Sequence, residues 1–330
     1  LCLMQSHRRM PDGLSFSEPK PGGGFGPFGP GGPPPGMGGN GPKHHRIGTE
    51  GRPGMSSRGM GGMGAPGGGK KRMATTEELQ NWIEDSANDA LEYRGLGFDV
   101  VEITPIGDVG ADNTRTDQYG GSFENRCRAT TELLQRIRAL CGPYFLISMQ
   151  VTAAFDPQWI EMLKLWDKYV DIYHVRPPRS YGEHPSTYIF PEQDPPSLQH
   201  TKALKDAGVN AVIGAACGFQ DPDVIERAIE EGKCDMVFMA RTYNCDPDYL
   251  QKIIQQRPED ITPCLRCDCC HSAICAVNPV FGLENVFDDM FRPSQGGKKV
   301  AVIGGGPAGL RAAMVCAQRG HQVTLFEKSG

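Results

Sequence analysis

No run of apolar residues in this chain of 330 residues approaches the roughly 18 needed to cross a bilayer as a helix, and its first residues lack an apolar stretch followed by a small-residue cleavage site. Neither feature points to a membrane or to secretion, so the expectation is a soluble, cytoplasmic protein with no membrane partner. Aromatic residues are few, at 8% with three tryptophans. Positive charge is scarce outside the first 73 residues. Those 73 carry ten Lys and Arg against three Asp and Glu, and taking that +7 from a whole-chain charge of −5 leaves −12 for the rest. A basic nucleic-acid groove on the folded part is excluded, and no nucleic-acid partner is expected. The glycines keep no strict period of three, which excludes a collagen helix.

What is abundant is concentrated. Pro19 to Gly69 holds 21 Gly and 10 Pro in 51 residues, a composition that cannot bury enough apolar surface to order itself. A chain of 330 residues has room for about two domains, and about 255 remain to fold outside that stretch. The chain opens on Leu1 and stops at Gly330 just after an apparent strand, which predicts a fragment of a longer protein.

Beyond the Gly/Pro stretch, helical and extended patterns alternate. Leu1 to Gln5 reads as a short buried strand. Thr75 or Thr76 is a candidate N-cap, with Glu78 supporting the first turn and Leu79, Trp82, Ile83 and Ala87 at helical spacing through to about Arg94. Strands are expected at 98–103, 145–151, 170–175, 211–215 and 235–239, and further helices at 124–139, 157–168, 199–207, 222–230 and 247–255. Short, continuously apolar strands separated by helices indicate a parallel sheet covered on both faces. A TIM barrel or a doubly wound sheet satisfies that pattern, and the six strands counted leave an eight-stranded barrel without its first two.

Three motifs carry chemistry. The first is Cys264-Leu-Arg-Cys267-Asp-Cys269-Cys270-His-Ser-Ala-Ile-Cys275. A Cys-x2-Cys-x2-Cys run brings three thiolates together on a short backbone, as an iron–sulfur cluster requires, and Cys275 is the candidate fourth ligand. A structural zinc or reduced cysteines without metal are the rival readings, and Cys269 or His271 stands as a substitute for Cys270. The second is Val300-Ala-Val-Ile-Gly304-Gly-Gly306-Pro-Ala-Gly309, which follows a strand, opens a helix and has Glu327 beyond the next strand: a dinucleotide-binding turn. Gly304 allows the tight turn, Gly306 lets backbone amides approach a pyrophosphate, and Glu327 is suited to a ribose hydroxyl. The third is Arg115-Thr-Asp-Gln-Tyr-Gly-Gly-Ser-Phe-Glu-Asn-Arg126, by itself only a polar loop leading into a helix.

With the cysteine run and the glycine turn in the same order, that third segment resembles the sequence after the fourth barrel strand of the old yellow enzyme family, in its larger members of the 2,4-dienoyl-CoA reductase and trimethylamine dehydrogenase type. The resemblance implies an α/β fold: a TIM (β/α)8 barrel, lacking its first strands here, followed by an iron–sulfur loop and the start of a Rossmann-like dinucleotide-binding domain. The segments implied are 1–18, a remnant of barrel strand 3; 19–73, the Gly/Pro/Met-rich loop; 74–262, the FMN-binding barrel portion; 263–297, the Cys-rich 4Fe–4S segment and linker; and 298–330, a truncated FAD/NAD(P)-binding βαβ unit. Cys264, Cys267, Cys270 and Cys275 become 4Fe–4S ligands, though the last spacing is shorter than in the best-known members. The FMN phosphate falls to Cys217 and Gly218 after strand seven and to Ala240 and Arg241 after strand eight, and Gln5 resembles the glutamine that bonds the flavin ring.

Departures from the family are equally informative. Gln150 stands where the family usually has an arginine beside the flavin N1–O2 edge, and Thr104, Gly107 and Val109 replace the usual carbonyl-gripping residues. Proton donation then falls to His184, where dienoyl-CoA reductases carry a catalytic histidine, or to Asp108, if burial beside the flavin raises its pKa. Arg176 and Arg179 are placed to meet an acidic substrate, and Tyr173 and His174 are expected to pack at a strand end. The implied function is an NAD(P)H-dependent flavin oxidoreductase passing electrons from FAD through the 4Fe–4S cluster to FMN. Its implied partner is a small-molecule conjugated carbonyl substrate whose activated C=C bond it reduces: an enoyl thioester, ketosteroid, bile-acid intermediate or linear tetrapyrrole. The alternatives are an amine dehydrogenase or demethylase of the same architecture and an inactive fragment binding no FMN. A homo-oligomer is compatible with either.

Overall fold

The computed structural model describes residues 72–106, 113–154, 157–178, 194–267, 269–287 and 292–329, with the backbone of two short strands before them, β1 (Leu3–Gln5) and β2 (Leu14–Ser15). Residues 16–71, which include most of the Gly/Pro/Met-rich stretch, lie outside the described residues, as do Asp108, Arg179 and His184. The chain divides into two compact units, Leu1–Arg176 with His200–Gly214, and Pro177–Gln199 with Ala215–Gly330.

In the first unit, β2 pairs in parallel with β3 (Arg72–Met73), and α1 follows over Thr76–Gly95. A reciprocal capping box sets where α1 begins: the Glu78 amide donates to Thr75 Oγ1 and the Thr75 amide to Glu78 Oε2 at 2.9 Å. Arg72 holds the same carboxylate through two hydrogen bonds and keeps its pKa well down, at about 2. Thr75→Ala is expected to lower stability by about 1 kcal/mol, read as a lower urea midpoint with an unchanged slope.

The strands β4 (Val100–Ile103), β5 (Leu146–Thr152), β6 (Ile172–Arg176) and β7 (Val212–Ala216) follow β1 across a parallel sheet in chain order, with α2 (Phe123–Cys141), α3 (Pro157–Trp166) and α4 (Leu198–Asp206) between them. The division between units falls within β7. The register pairs Val101 with Ile147, Met149 with Tyr173 and Val151 with Val175, and alternately Gln5 with Glu102, Glu102 with Ser148 and Gln150 with His174. With a side-chain period of two, the first set faces one way and the second the other. The apolar set joins Leu79, Ile83 and Ala87 of α1 and Leu133, Leu134 and Ile137 of α2 in one core. Trp166 is fully buried there, its indole N–H donating to Thr131 Oγ1 at 3.0 Å.

The Arg115 to Arg126 segment acts as a clamp on this core. Arg115, with its side chain 1% exposed, pairs with Asp117 and also donates Nη1 to the Ala74 carbonyl at 2.9 Å, which ties the loop to the entry of α1. Asp117 in turn accepts from Thr76 Oγ1 at 2.7 Å. A Cβ on Gly120 would lie 2.0 Å from the Arg115 carbonyl oxygen, so only glycine fits the turn.

In the second unit, α5 (Pro222–Glu230) leads to β8 (Met236–Phe238), and Leu198, Phe219, Ala228 and Cys234 form a small core. Two short helices follow, α6 (Arg241–Cys245) and α7 (Tyr249–Ile254), where the sequence reading expected one helix over 247–255. The five residues of α6 are too few for apolar periodicity to register. Beyond the cysteine run come α8 (Glu284–Phe287), then β9 (Lys299–Ile303), α9 (Pro307–Gln318) and β10 (Gln322–Phe326), with β9 and β10 pairing in parallel. No helix among the described residues is long and apolar enough to cross a membrane.

Candidate functional site

The cysteine run is anchored at both ends. Asp246, nearly fully buried after α6, accepts from Lys252 Nζ at 2.6 Å and from the Thr262 amide at 2.8 Å, and Asn278 donates Nδ2 to the Asn244 carbonyl at 2.8 Å. Between these anchors Cys264, Cys267, Cys270 and Cys275 line one small cavity with Arg241, Asn244 and Cys245. Cys269 is not among the lining residues; its Sγ lies 3.8 Å from the Cys267 carbonyl oxygen. Cys270 thus lines the cavity and Cys269 does not, and the His271 side chain lies outside the described residues. Among the described residues no group of three His, Cys, Asp or Glu side chains is arranged to hold a single metal ion.

Two left-handed residues, Arg266 at φ +56 and Ala273 at φ +57, fold the run back on itself. The Arg266 amide donates to Cys264 Sγ at 3.3 Å. The sequence reading missed Cys245, whose Sγ is 3.6 Å from that of Cys275. Burial, followed by the neighbouring Cys275 and Cys264 sulfurs, pushes its thiol pKa well up, whereas the Cys269 amide holds Cys267 down. The available signal was spacing: Arg241 and Cys245 stand four residues apart, on one face of one helical turn.

The expected phosphate-binding residues belong to the same unit. Cys217 (φ +72) and Gly218 (φ +94) are consecutive left-handed residues after β7, a conformation costly for a cysteine and characteristic of loops shaped around a ligand. Ala240 supplies the N-cap backbone of α6 and Arg241 its first residue, half-buried and lining the cysteine cavity. Arg266 joins these pieces, its Nη2 donating to the Gly218 carbonyl at 3.2 Å. Burial and then the like charge of Arg241 lower the Arg266 pKa. Two half-buried guanidiniums beside a left-handed loop fit a phosphate dianion.

In the first unit the polar face of the sheet gathers around Glu102, which is 3% exposed. Its carboxylate meets His174 Nδ1 at 2.9 Å and accepts from Ser148 Oγ at 3.2 Å, while Gln150 Nε2 lies 3.4 Å from Glu102 Oε1. The expectation that Tyr173 and His174 pack at a strand end is therefore corrected. Both sit in the middle of β6; Tyr173 is buried and donates its hydroxyl to the Leu163 carbonyl at 2.6 Å, and His174 turns to the polar face. Strand register brings Gln150 to this group, and Gln5 pairs with Glu102 along the backbone. Arg176, at the end of β6, is half-buried.

The glycine turn has the geometry its sequence requires. Gly304 is left-handed at φ +103, Gly306 caps α9, and a Cβ on Gly309 would lie 1.9 Å from the Gly304 carbonyl oxygen, which forces glycine at the helix–turn contact. Glu327 accepts from the Ser329 amide, the Gly305 amide and the Ser329 hydroxyl, and these bonds hold its pKa down at about 2.

Residues 63–260, more than half the chain, match the family described as NADH:flavin oxidoreductase / NADH oxidase. The chain belongs to this family. As a member of it, the protein pairs the flavin barrel region with residues 299–330, which match the FAD binding domain family; these two matches support FMN and FAD as its flavins. A cinnamate reductase of Clostridium sporogenes is 31% identical, over 78% of this chain and 44% of its own length. A bilirubin reductase of Mediterraneibacter gnavus is also 31% identical, over 77% and 43%. The solved structure of a 2-naphthoyl-CoA reductase in complex with 2-naphthoyl-CoA is 32% identical, with a TM-score of 0.70, over 78% of this chain and 43% of that one. A histamine dehydrogenase from Rhizobium sp. 4-9 is 25% identical, with a TM-score of 0.66 over 78% and 40%. The chain thus spans less than half the length of each of these relatives, and the likeness supports the TIM-barrel reading of its parallel sheet.

Proposed function

We propose that this protein is part of an NAD(P)H-dependent oxidoreductase that reduces a C=C bond conjugated to a carbonyl, as in enoyl thioesters, steroid enones or linear tetrapyrroles. The observation that carries the reading is the sharing of α6 between two sites: Arg241, expected to hold the FMN phosphate, opens the same short helix that presents Cys245 to a cavity lined by the cysteine run. Four cysteines of one Cys-rich run lining a single cavity fit the ligand set of a 4Fe–4S cluster. When bound, FAD would take hydride from NAD(P)H, the cluster would carry electrons singly, and FMN would deliver hydride to the substrate.

The chain's own residues have separable tasks. Cys264, Cys267, Cys270 and Cys275 ligate iron. Cys217, Gly218, Ala240 and Arg241 hold the FMN phosphate, and Gln5 and Gln150 face the flavin ring. The neutral amide of Gln150 stabilises negative charge on the ring less than an arginine would. Gly304, Gly306, Gly309 and Glu327 form the dinucleotide turn. His184 or Asp108 delivers the proton that completes reduction. Similarity to cinnamate, bilirubin and 2-naphthoyl-CoA reductases is consistent with alkene reduction. An N,N-dimethylglycine/sarcosine dehydrogenase from Chromohalobacter salexigens, 31% identical, supports the amine-oxidising alternative. Anaerobic assay of the cofactor-loaded protein separates the two: NADH or NADPH consumption that depends on an enone or enoyl thioester is expected, and amine-dependent dye reduction without it would replace the reading.

A further inference from the structure

Arg266 lies between two expected iron ligands and is attached to both candidate sites by different atoms. Its backbone amide donates to Cys264 Sγ at 3.3 Å, and its guanidinium donates to the Gly218 carbonyl at 3.2 Å. Its left-handed backbone, φ +56, allows both contacts from a single residue. Its side chain is half-buried.

We infer that Arg266 couples the two sites: filling the cysteine cavity fixes the 264–267 turn, which sets the guanidinium against the Gly218 loop and raises affinity for the phosphate of FMN. The inference rests on the FMN and cluster reading proposed above. Coupling of this kind is reciprocal, so FMN must also make iron harder to remove, by the same factor. Arg266 is thus a positioning residue acting through the phosphate loop.

The test measures FMN affinity by quenching of flavin fluorescence, using the full chain in iron-free and anaerobically reconstituted forms, with riboflavin as the ligand that lacks phosphate. FMN is expected to bind about tenfold more tightly to the reconstituted form, with riboflavin indifferent to iron. Arg266→Gly, which keeps the left-handed backbone accessible, is expected to load iron normally and lose the difference. Arg266→Lys, which keeps charge without the planar fork, is expected to retain only part of it. Equal FMN affinity in both wild-type forms, or a difference that persists in Arg266→Gly, overturns the coupling and leaves the proposed function standing. Failure of FMN to bind either form overturns both.

Discussion

Cys270→Ala is expected to strip iron from the anaerobically reconstituted chain, from about four atoms per molecule to less than about one, with loss of the broad visible absorption of a cluster. Cys269→Ala is expected to keep both. The two cysteines are adjacent in sequence, but only Cys270 lines the cavity with Cys264, Cys267 and Cys275. A cluster missing one of its thiolate ligands loses a corner of the cage, and Cys269 does not line the cavity to replace it. The exception to examine is Cys245, which shares the cavity and lies 3.6 Å from Cys275. If Cys270→Ala retains iron while Cys270→Ala/Cys245→Ala loses it, the ligand set is wrong by one residue. If Cys269→Ala is the variant that loses iron, the cavity assignment fails.

Asp117→Asn is expected to cost about 3 kcal/mol of folding stability at neutral pH, because it leaves Arg115, 1% exposed, without its carboxylate. The value sits at the low end for a buried pair since Asp117 is itself 30% exposed. The pH dependence has a definite sign. Arg115, first among several groups, holds the Asp117 carboxyl well below the ordinary value of about 3.9. Its contribution is therefore present in full above that ordinary value and is lost as pH falls through the depressed one. Urea unfolding between pH 7 and pH 2 should show the wild type losing stability in the acid range more steeply than Asp117→Asn. Equal midpoints at pH 7 would mean that Arg115 is satisfied without the Asp117 carboxylate.

Much of the fold was legible because its signals are local. Apolar runs and helical spacing located the six barrel strands and most helices, and the observed bounds for α5 coincide with the expected ones at Pro222 and Glu230. The glycine turn was legible for a related reason: Gly304 and Gly309 answer to a backbone angle and a close contact within a few residues of chain. The five-residue α6 escaped because it spans barely one turn, and with it went Cys245.

The sequence by itself determined the order of strands and helices, the cysteine run and the dinucleotide turn, since each depends on the chemistry of neighbouring residues. Only the tertiary structure decided that Cys245 joins the cysteines, that Arg266 touches both a sulfur and the Gly218 loop, and that His174 meets Glu102 on the polar face of the sheet. Those pairings join residues up to 72 positions apart. Register between strands and the folding back of a loop bring them together, and neither has a periodic trace in the residues themselves.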